Sequence, residues 1–286
     1  MASHLAGIST VIVLFCSPHF GESWKLTRAV NNMQQQESTQ QEARRIWEKA
    51  IAAKGGRDRL YGVGNMVISE RGEYKAGSSS TNRLRKESFI LLPNKLWEWD
   101  DLRPDVFGLT VNMYNFDTRI SYHVNSDAST PLPHAIPDYD RGKALQYGLL
   151  PYLLETKWLR PTLVSATTAR IGRRNVNVVR TRIQDVVEGF VPENTRIDFA
   201  FDRETHLPIQ ISFYHMRSGE DVLFLTENLS DYTDASGIKV PQQIRYSDGT
   251  EYKEGIKFNV QYNKDLFDKP PSVAAGPEAW RPKRNE

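Results

Sequence analysis

Two periodicities divide the chain. From Glu42 onward, Ala43, Ile46, Trp47, Ala50 and Ile51 recur at three- and four-residue spacing, the apolar stripe of an amphipathic helix. Gly55 and Gly56 follow as its stop signal, because glycine enters the left-handed region at a helix C-terminus without steric cost. Trp47 on that stripe reads as a core anchor, and Leu60 and Tyr61 belong to a further short turn of helix. Beyond Val63 the period falls to two. VGNMVISERGEY and NRLRKESFILL, parted by a serine turn at Ser78–Ser80, read as a β-hairpin. NKLWEWDD and VFGLTVNMYNFDTRISYHV continue the pattern, the latter as two strands folded about Asn115 and Asp117. Trp97 and Trp99 share one strand face and Glu98 takes the other.

Pro131, Pro133 and Pro137 make residues 126–140 a loop. GKALQYGLLPYLLETKWL then predicts a helix from Gly142 to Trp158, apolar nearly all round and kinked or divided at Pro151. Such a helix must be covered on more than one side. Strands return in NVNVVRTRIQ, TRIDFAFD, LPIQISFYH, DVLFLTENLSDY, IKVPQQIRYSD and YKEGIKFNVQYN. Their short connections require antiparallel pairing, since parallel neighbours need long crossovers. A nucleotide-binding α/β fold is excluded by the lack of a βαβ rhythm and of a glycine-rich phosphate loop. The fold class is therefore α+β, mostly β. A Gln-rich linker at 24–41, turning helical toward its end, precedes a single domain at 42–269. The tail at 270–286 is expected to be flexible or loosely docked.

The run from Leu5 to Cys16 is apolar. It is too short for a bilayer span, which takes roughly 20 residues, and it suits the hydrophobic region of a secretory signal. Gly21 and Ser23 supply small residues for cleavage after Ser23. Residues 1–23 are thus expected to act as a signal peptide, and the protein to be periplasmic or otherwise exported. No Lys or Arg precedes the run, which departs from the usual pattern. Cys16 also offers a weaker lipoprotein reading, opposed by the bulky Phe15 before it.

Composition removes several function classes. Lys+Arg at 37 nearly balances Asp+Glu at 35, so the charge gives no reason to expect a nucleic-acid partner. The single cysteine rules out a disulfide framework and any zinc site built from several thiolates. His123, His134, His206 and His215 show no metal-binding spacing. Asp100 and Asp101 beside Trp99 could suggest the carboxylates of a glycosidase, but neighbours on a strand point to opposite faces and cannot flank one bond. No GxSxG elbow occurs. The sequence therefore offers no catalytic residue, no metal ligand and no cofactor site. The basic stretches at Arg83 and Ile171 read as solvated strand faces or rims for anionic headgroups.

The C-terminal half carries a resemblance. FDRETHLPIQISFY, ENLSDYTDASGIKVPQQIRY and FNVQYNKDLFDKP, together with AIAAKGGRDRL from Ala50 to Leu60, resemble the LolA-like family of periplasmic carriers and sensors of lipid or lipidated protein. The resemblance covers about two-thirds of the chain and lies in strands and turns. It implies a strongly curved antiparallel sheet, an unclosed half-barrel, with helices over its concave face. It also implies a non-enzymatic carrier or binder of lipid, lipoprotein acyl chains or another apolar ligand, with lipid, lipidated protein and envelope membrane proteins as partners. The expected trough is lined by Leu145, Leu149, Tyr152 and Leu153 of the helical segment and by Trp97, Trp99, Phe199, Phe201, Ile211 and Phe213 of the sheet. The same residues could instead make an ordinary dry core. An RseB-like envelope sensor or interaction module on the same scaffold is the alternative function, and an unrecognised enzyme a remote one. Sensors of that kind carry a second C-terminal domain, whereas this chain ends 16 residues after Pro270.

Overall fold

The computed structural model describes residues 20–76, 80–103, 108–126, 132–136, 148–183, 195–246 and 249–282. The N-terminal signal expected at 1–23 lies almost wholly outside them. Contacts divide the chain into two units, residues 1–38 and 39–286. The first unit contributes the start of helix α1, which spans Phe20–Lys54. Helix therefore occupies the stretch read as a linker. Gln, Glu, Arg, Lys and Met are good helix formers, but without an apolar stripe they leave no periodic signal.

The second unit is built on one sheet. After the short α2, Arg57–Tyr61, come β1 Asn65–Ala76, β2 Ser80–Leu91, β3 Lys95–Asp101, β4 Leu109–Asn115, β5 Ile120–Asn125 and β6 Pro133–Ala135. One helical turn follows, α3 at Leu150–Leu153. The chain continues through β7 Thr162–Ile171, β8 Arg174–Ile183, β9 Thr195–Asp202, β10 Pro208–Arg217, β11 Glu220–Ala235, β12 Ile238–Arg245 and β13 Gly249–Phe258. Every pairing is antiparallel, in the order β6-β5-β4-β3-β2-β1-β13-β12-β11-β10-β9-β8-β7. The sheet is a curved half-barrel that does not close, as the sequence leads one to expect. The first strand pairs with the last, so the two arms of the chain grow outward from the β1–β13 seam and leave β6 and β7 as free edges.

That topology explains the apolar segment between them. The connection from β6 to β7 joins opposite edges of the sheet, and its described part crosses the concave face, where α3 packs against β12. Leu149, Leu150, Leu153, Leu154 and Leu159 are buried there. The segment is not the helix expected to run on to Trp158. Leu154 leaves α3 with φ 61°, and no regular structure follows until β7. Pro151 sits in the first turn of α3, where its missing N–H costs nothing, instead of kinking a longer helix. Apolar residues on all sides reported burial, and burial does not require a helix.

Within the second unit, α1 from Thr39 on lies on the concave face with Ala43, Ile46, Trp47, Ala50 and Ile51 buried. The Trp47 ring meets Phe199 and Phe201 of β9 edge-on, at centroid distances of 5.0 and 5.8 Å. Such pairs contribute about 0.5–1.5 kcal/mol each beyond burial. The Trp47 indole N–H donates to Glu155 Oε2 at 2.8 Å, and Glu155 Oε1 accepts from Tyr61 Oη at 2.7 Å and Arg57 Nε at 2.9 Å. One buried carboxylate thus ties both helices to the crossing segment. At the end of α1, Gly55 has φ 129°, and a Cβ there would lie 2.2 Å from the Gly237 carbonyl oxygen in the β11–β12 turn. Only glycine permits that approach.

The convex face has its own cluster. Val67, Phe89, Trp97, Trp99, Val111 and Met113 are covered by Leu266, Phe267 and Trp280. The Trp280 ring stacks on Phe89 at 6.1 Å, and its N–H donates to Glu87 Oε1 at 3.0 Å. The chain from Pro270 to Pro282, expected to be flexible or loosely docked, is instead folded back on the sheet. Trp280 is the anchor, because a tryptophan at 5% exposure buries a large apolar area while its N–H keeps a partner.

Candidate functional site

The expected trough separates into three parts. Phe199, Phe201, Ile211, Phe213, Leu149, Leu153 and Tyr152 do come together, in the cluster beneath α1. It is tightly packed: Phe199, Phe201, Ile211 and Leu153 have no exposed surface. Trp97 and Trp99 lie on the convex face, with the whole sheet between them and the rest. Shared orientation was legible from their two-residue spacing, but spacing alone does not say which face is concave. Leu145 lies outside the described residues. Of the expected set, Trp97 borders a cavity under the C-terminal tail, and Tyr152 reaches a separate, open one on the concave face.

That cavity stands beside the packed cluster on the same concave face. Its volume is about 420 Å³, within the range of small-molecule sites. Ile68, Ile90, Leu96, Tyr114, Phe116 and Tyr152 form its apolar wall. The other wall is charged, and strand register explains why. Along the concave side, β1 reads Met66, Ile68, Glu70; β2 reads Ile90, Ser88, Lys86; β3 reads Leu96, Glu98, Asp100. Cross-strand pairing sets Glu70 opposite Lys86, and Lys86 opposite Asp100. Each strand thus changes from apolar to charged along this face, β3 one pair earlier, at Glu98 opposite Ser88, than β1 and β2 at Glu70 and Lys86.

A bulge completes the band. In the β1–β13 ladder Ser69 faces Gly255 but Glu70 faces Lys253, so Glu254 is skipped. The extra residue reverses the side on which β13 points. Lys253 and Glu251 turn inward, and Glu254 is left exposed. Farther along, Glu227 of β11 extends the band beside Tyr246 at the end of β12.

Hydrogen bonds join most of these groups. Lys253 Nζ donates to Glu70 Oε2 and, at 2.7 Å, to Glu251 Oε2. Tyr246 Oη donates to the same Glu251 oxygen at 3.1 Å. Lys86 Nζ lies 2.6 Å from Glu98 Oε1. Burial opposes the charge on Lys253, but Tyr152, Glu70 and Glu251 around it outweigh burial and hold its pKa well above the ordinary value. The same contest at Lys86 is won by Glu98, Asp100 and Glu70, and its pKa rises. Burial pushes the Asp100 carboxyl up to about 6, against the pull of Lys86.

Glu227 differs from the rest. It is 8% exposed, and its Oε2 has no hydrogen-bond partner among the described residues; Asp100 Oδ1 is likewise unmatched, but Asp100 Oδ2 accepts from Asn112 Nδ2 at 3.4 Å. Burial, reinforced by the Glu251 charge, pushes its carboxyl up to about 8. Sequence reasoning missed this whole band. The signal that could have found it was charge falling in the apolar register of three neighbouring strands, at Glu70, Lys86 and Glu98. The expected opposition of Asp100 and Asp101 does hold: Asp100 faces the band, while Asp101 accepts from Arg103 Nε at 2.8 Å.

Among the described residues no group of His, Cys, Asp and Glu is arranged to hold a metal ion, and no helix is long and apolar enough to cross a membrane.

The sequence matches no family model and no curated protein. Solved structures do match. A LolA superfamily protein from Nitrosomonas europaea superposes with a TM-score of 0.51 at 14% identity, over 79% of this chain and 97% of that one. A DUF1329 family protein from Desulfovibrio piger gives 0.50 at 10% identity, over 79% and 96%. At such identities the likeness concerns fold, and it defines the class: this chain has the LolA-like half-barrel fold.

Proposed function

We propose that this protein is an exported, non-enzymatic binder of an amphiphile, a lipid or the lipidated part of a protein, and that the ligand seats in the cavity beside Tyr152. The observation that carries this reading is the pairing of an apolar wall, Ile68, Ile90 and Leu96, with a charged band in one cavity on the concave face. An apolar chain gains about 0.8 kcal/mol for each CH₂ it buries, so binding needs area and no reactive group. The charged band gives the polar end of the ligand fixed partners. The LolA-like fold supports the reading, because it leaves a concave face to be filled by helices or by a ligand.

The experiment is titration of the protein with a fluorescent acyl probe, alongside native mass spectrometry after gentle purification. Saturable one-to-one binding, weakened by Leu96→Gln in a variant that stays folded, is the expected result. A folded protein that takes up no amphiphile of any headgroup would overturn the reading.

A further inference from the structure

Glu227 is the group that the band leaves unfinished. The acidic residues lining the cavity are Glu70, Glu98, Glu227 and Glu251, set against Lys86 and Lys253. Both lysines are already committed, Lys253 to Glu70 and Glu251, Lys86 to Glu98. The cavity therefore carries an acidic excess, and the carboxylate without a described partner is also one of the most buried. A buried polar atom left unmatched costs free energy until something pairs with it. An anionic head would meet Glu70, Glu98 and Glu251 beside two lysines that are already paired, whereas an ammonium would find in Glu227 a buried carboxyl that can accept it by giving up its proton.

We propose that the cavity selects an amphiphile with an ammonium head, and that Glu227 is its counter-ion. This rests on the amphiphile-binding reading above and names the headgroup class. The apolar part lies along Ile68, Ile90 and Leu96, and the ammonium N–H groups donate to Glu227. Glu251 and Lys253 of β13 act on this carboxyl, Tyr246 beyond β12 feels its charge, and Glu70 of β1 and Tyr152 of α3 line the same cavity. In the empty cavity at neutral pH, Glu227 holds its proton. An arriving ammonium favours the carboxylate, so binding expels that proton to solvent.

The test compares three probes of equal chain length, a long-chain primary alkylamine, an alkyl sulfate and a neutral alkyl glycoside, titrated calorimetrically below their micelle concentrations. Wild type is expected to bind the amine about tenfold or more tightly than the sulfate, the scale of one charge-assisted hydrogen bond. Repeating the amine titration at pH 7 in buffers of different ionisation enthalpy is expected to show about one proton released per ligand. Glu227→Gln is expected to lose both the preference and the proton release while still binding the glycoside, and Glu227→Asp to keep part of each. Equal affinity for all three probes, or an amine preference that survives Glu227→Gln, would overturn the headgroup assignment and leave the amphiphile reading standing. Failure of folded wild type to bind any probe would remove both.

Discussion

Two buried lysines show how differently the two halves of the concave face are built. Lys54 ends α1 in the packed half, with no exposed surface, and its ammonium has one hydrogen bond, to the Pro151 carbonyl at 3.1 Å. The Tyr232 ring lies 5.3 Å away and supplies weak cation–π attraction. Burial drives its pKa well below the ordinary lysine value. Lys253 in the cavity half is equally hidden, yet carboxylates and a tyrosine around it drive its pKa the other way. One half treats charge as an intruder and the other is organised around it. On the same face of one sheet, α1 and the crossing segment have filled β8–β12 with Trp47, Phe199 and Phe201, while the β1–β3 and β13 side keeps open volume. A ligand site is to be sought where charge is matched and space remains.

The largest expected effect lies in the packed half. Leu149→Glu places a carboxylate at a position with 1% exposure. The lost leucine burial alone costs about 2–5 kcal/mol, and an unpaired buried charge adds several more. Loss of cooperative unfolding in thermal denaturation is the expected result. Leu96→Gln, on the cavity wall, is expected to cost under about 2 kcal/mol, because an open cavity can hydrate the amide. Equal damage from both would erase the distinction between the halves.

Next comes Lys253→Met. Removing one member of a buried ionic network typically costs about 3–5 kcal/mol, because the partners are left charged without compensation. Glu70 and Glu251 are those partners. Urea denaturation at pH 7 measures the loss. Lowering the pH toward 5 is expected to restore part of it, as the stranded carboxyls take up protons.

Much of this architecture was legible and the site was not, for physical reasons that particular residues show. Alternation such as Ile197/Phe199/Phe201 reports a strand with one buried face, and the single antiparallel sheet follows from it. Strand β7 was missed because TLVSATTARI lies at a free edge and buries neither face well, so no alternation is imposed on it. The charged band was missed because Glu70, Lys86 and Lys253 read one at a time as solvated positions. They meet only through pairing between distant strands and through a bulge that carries no composition signal of its own. Face assignment failed at Trp97 and Trp99 for a related reason. Curvature belongs to the whole sheet, and the tail that covers those tryptophans lies far along the chain.

An effect of comparable size, with a definite pH signature, is expected at Glu227. Its folded pKa, about 8, lies above the ordinary value of 4.5. The folded state therefore binds a proton more tightly than the unfolded chain. Its contribution to stability is complete below pH 4.5 and is lost as pH rises through 8. At about 1.4 kcal/mol for each pH unit between the two titrations, the loss is on the order of 5 kcal/mol. Glu227→Gln should match wild type in denaturation at pH 4.5 and exceed it at pH 9. Parallel curves across that range would mean that the carboxyl is already paired.

The smallest effect is a gain in the packed half. Lys54→Met keeps the length and apolar stem of the side chain and deletes an amino group whose protonation burial disfavours. The folded pKa lies below 10.5, so between the two values the unfolded chain holds a proton that the folded chain must release. The penalty is absent above pH 10.5 and grows as pH falls. Against its removal stands the hydrogen bond to the Pro151 carbonyl, whose loss costs about 0.5–1.5 kcal/mol. Replacing poorly compensated buried charge by a packed apolar group gains about 1–4 kcal/mol, so the net gain at pH 7 should be about 1–2 kcal/mol. The advantage should shrink as denaturation is repeated toward pH 10. The same exchange at Lys253 is expected to destabilise, so opposite signs from one substitution in the two halves test the comparison directly. A Lys54→Met variant less stable than wild type at pH 7 would show that the packed half, too, depends on its charge.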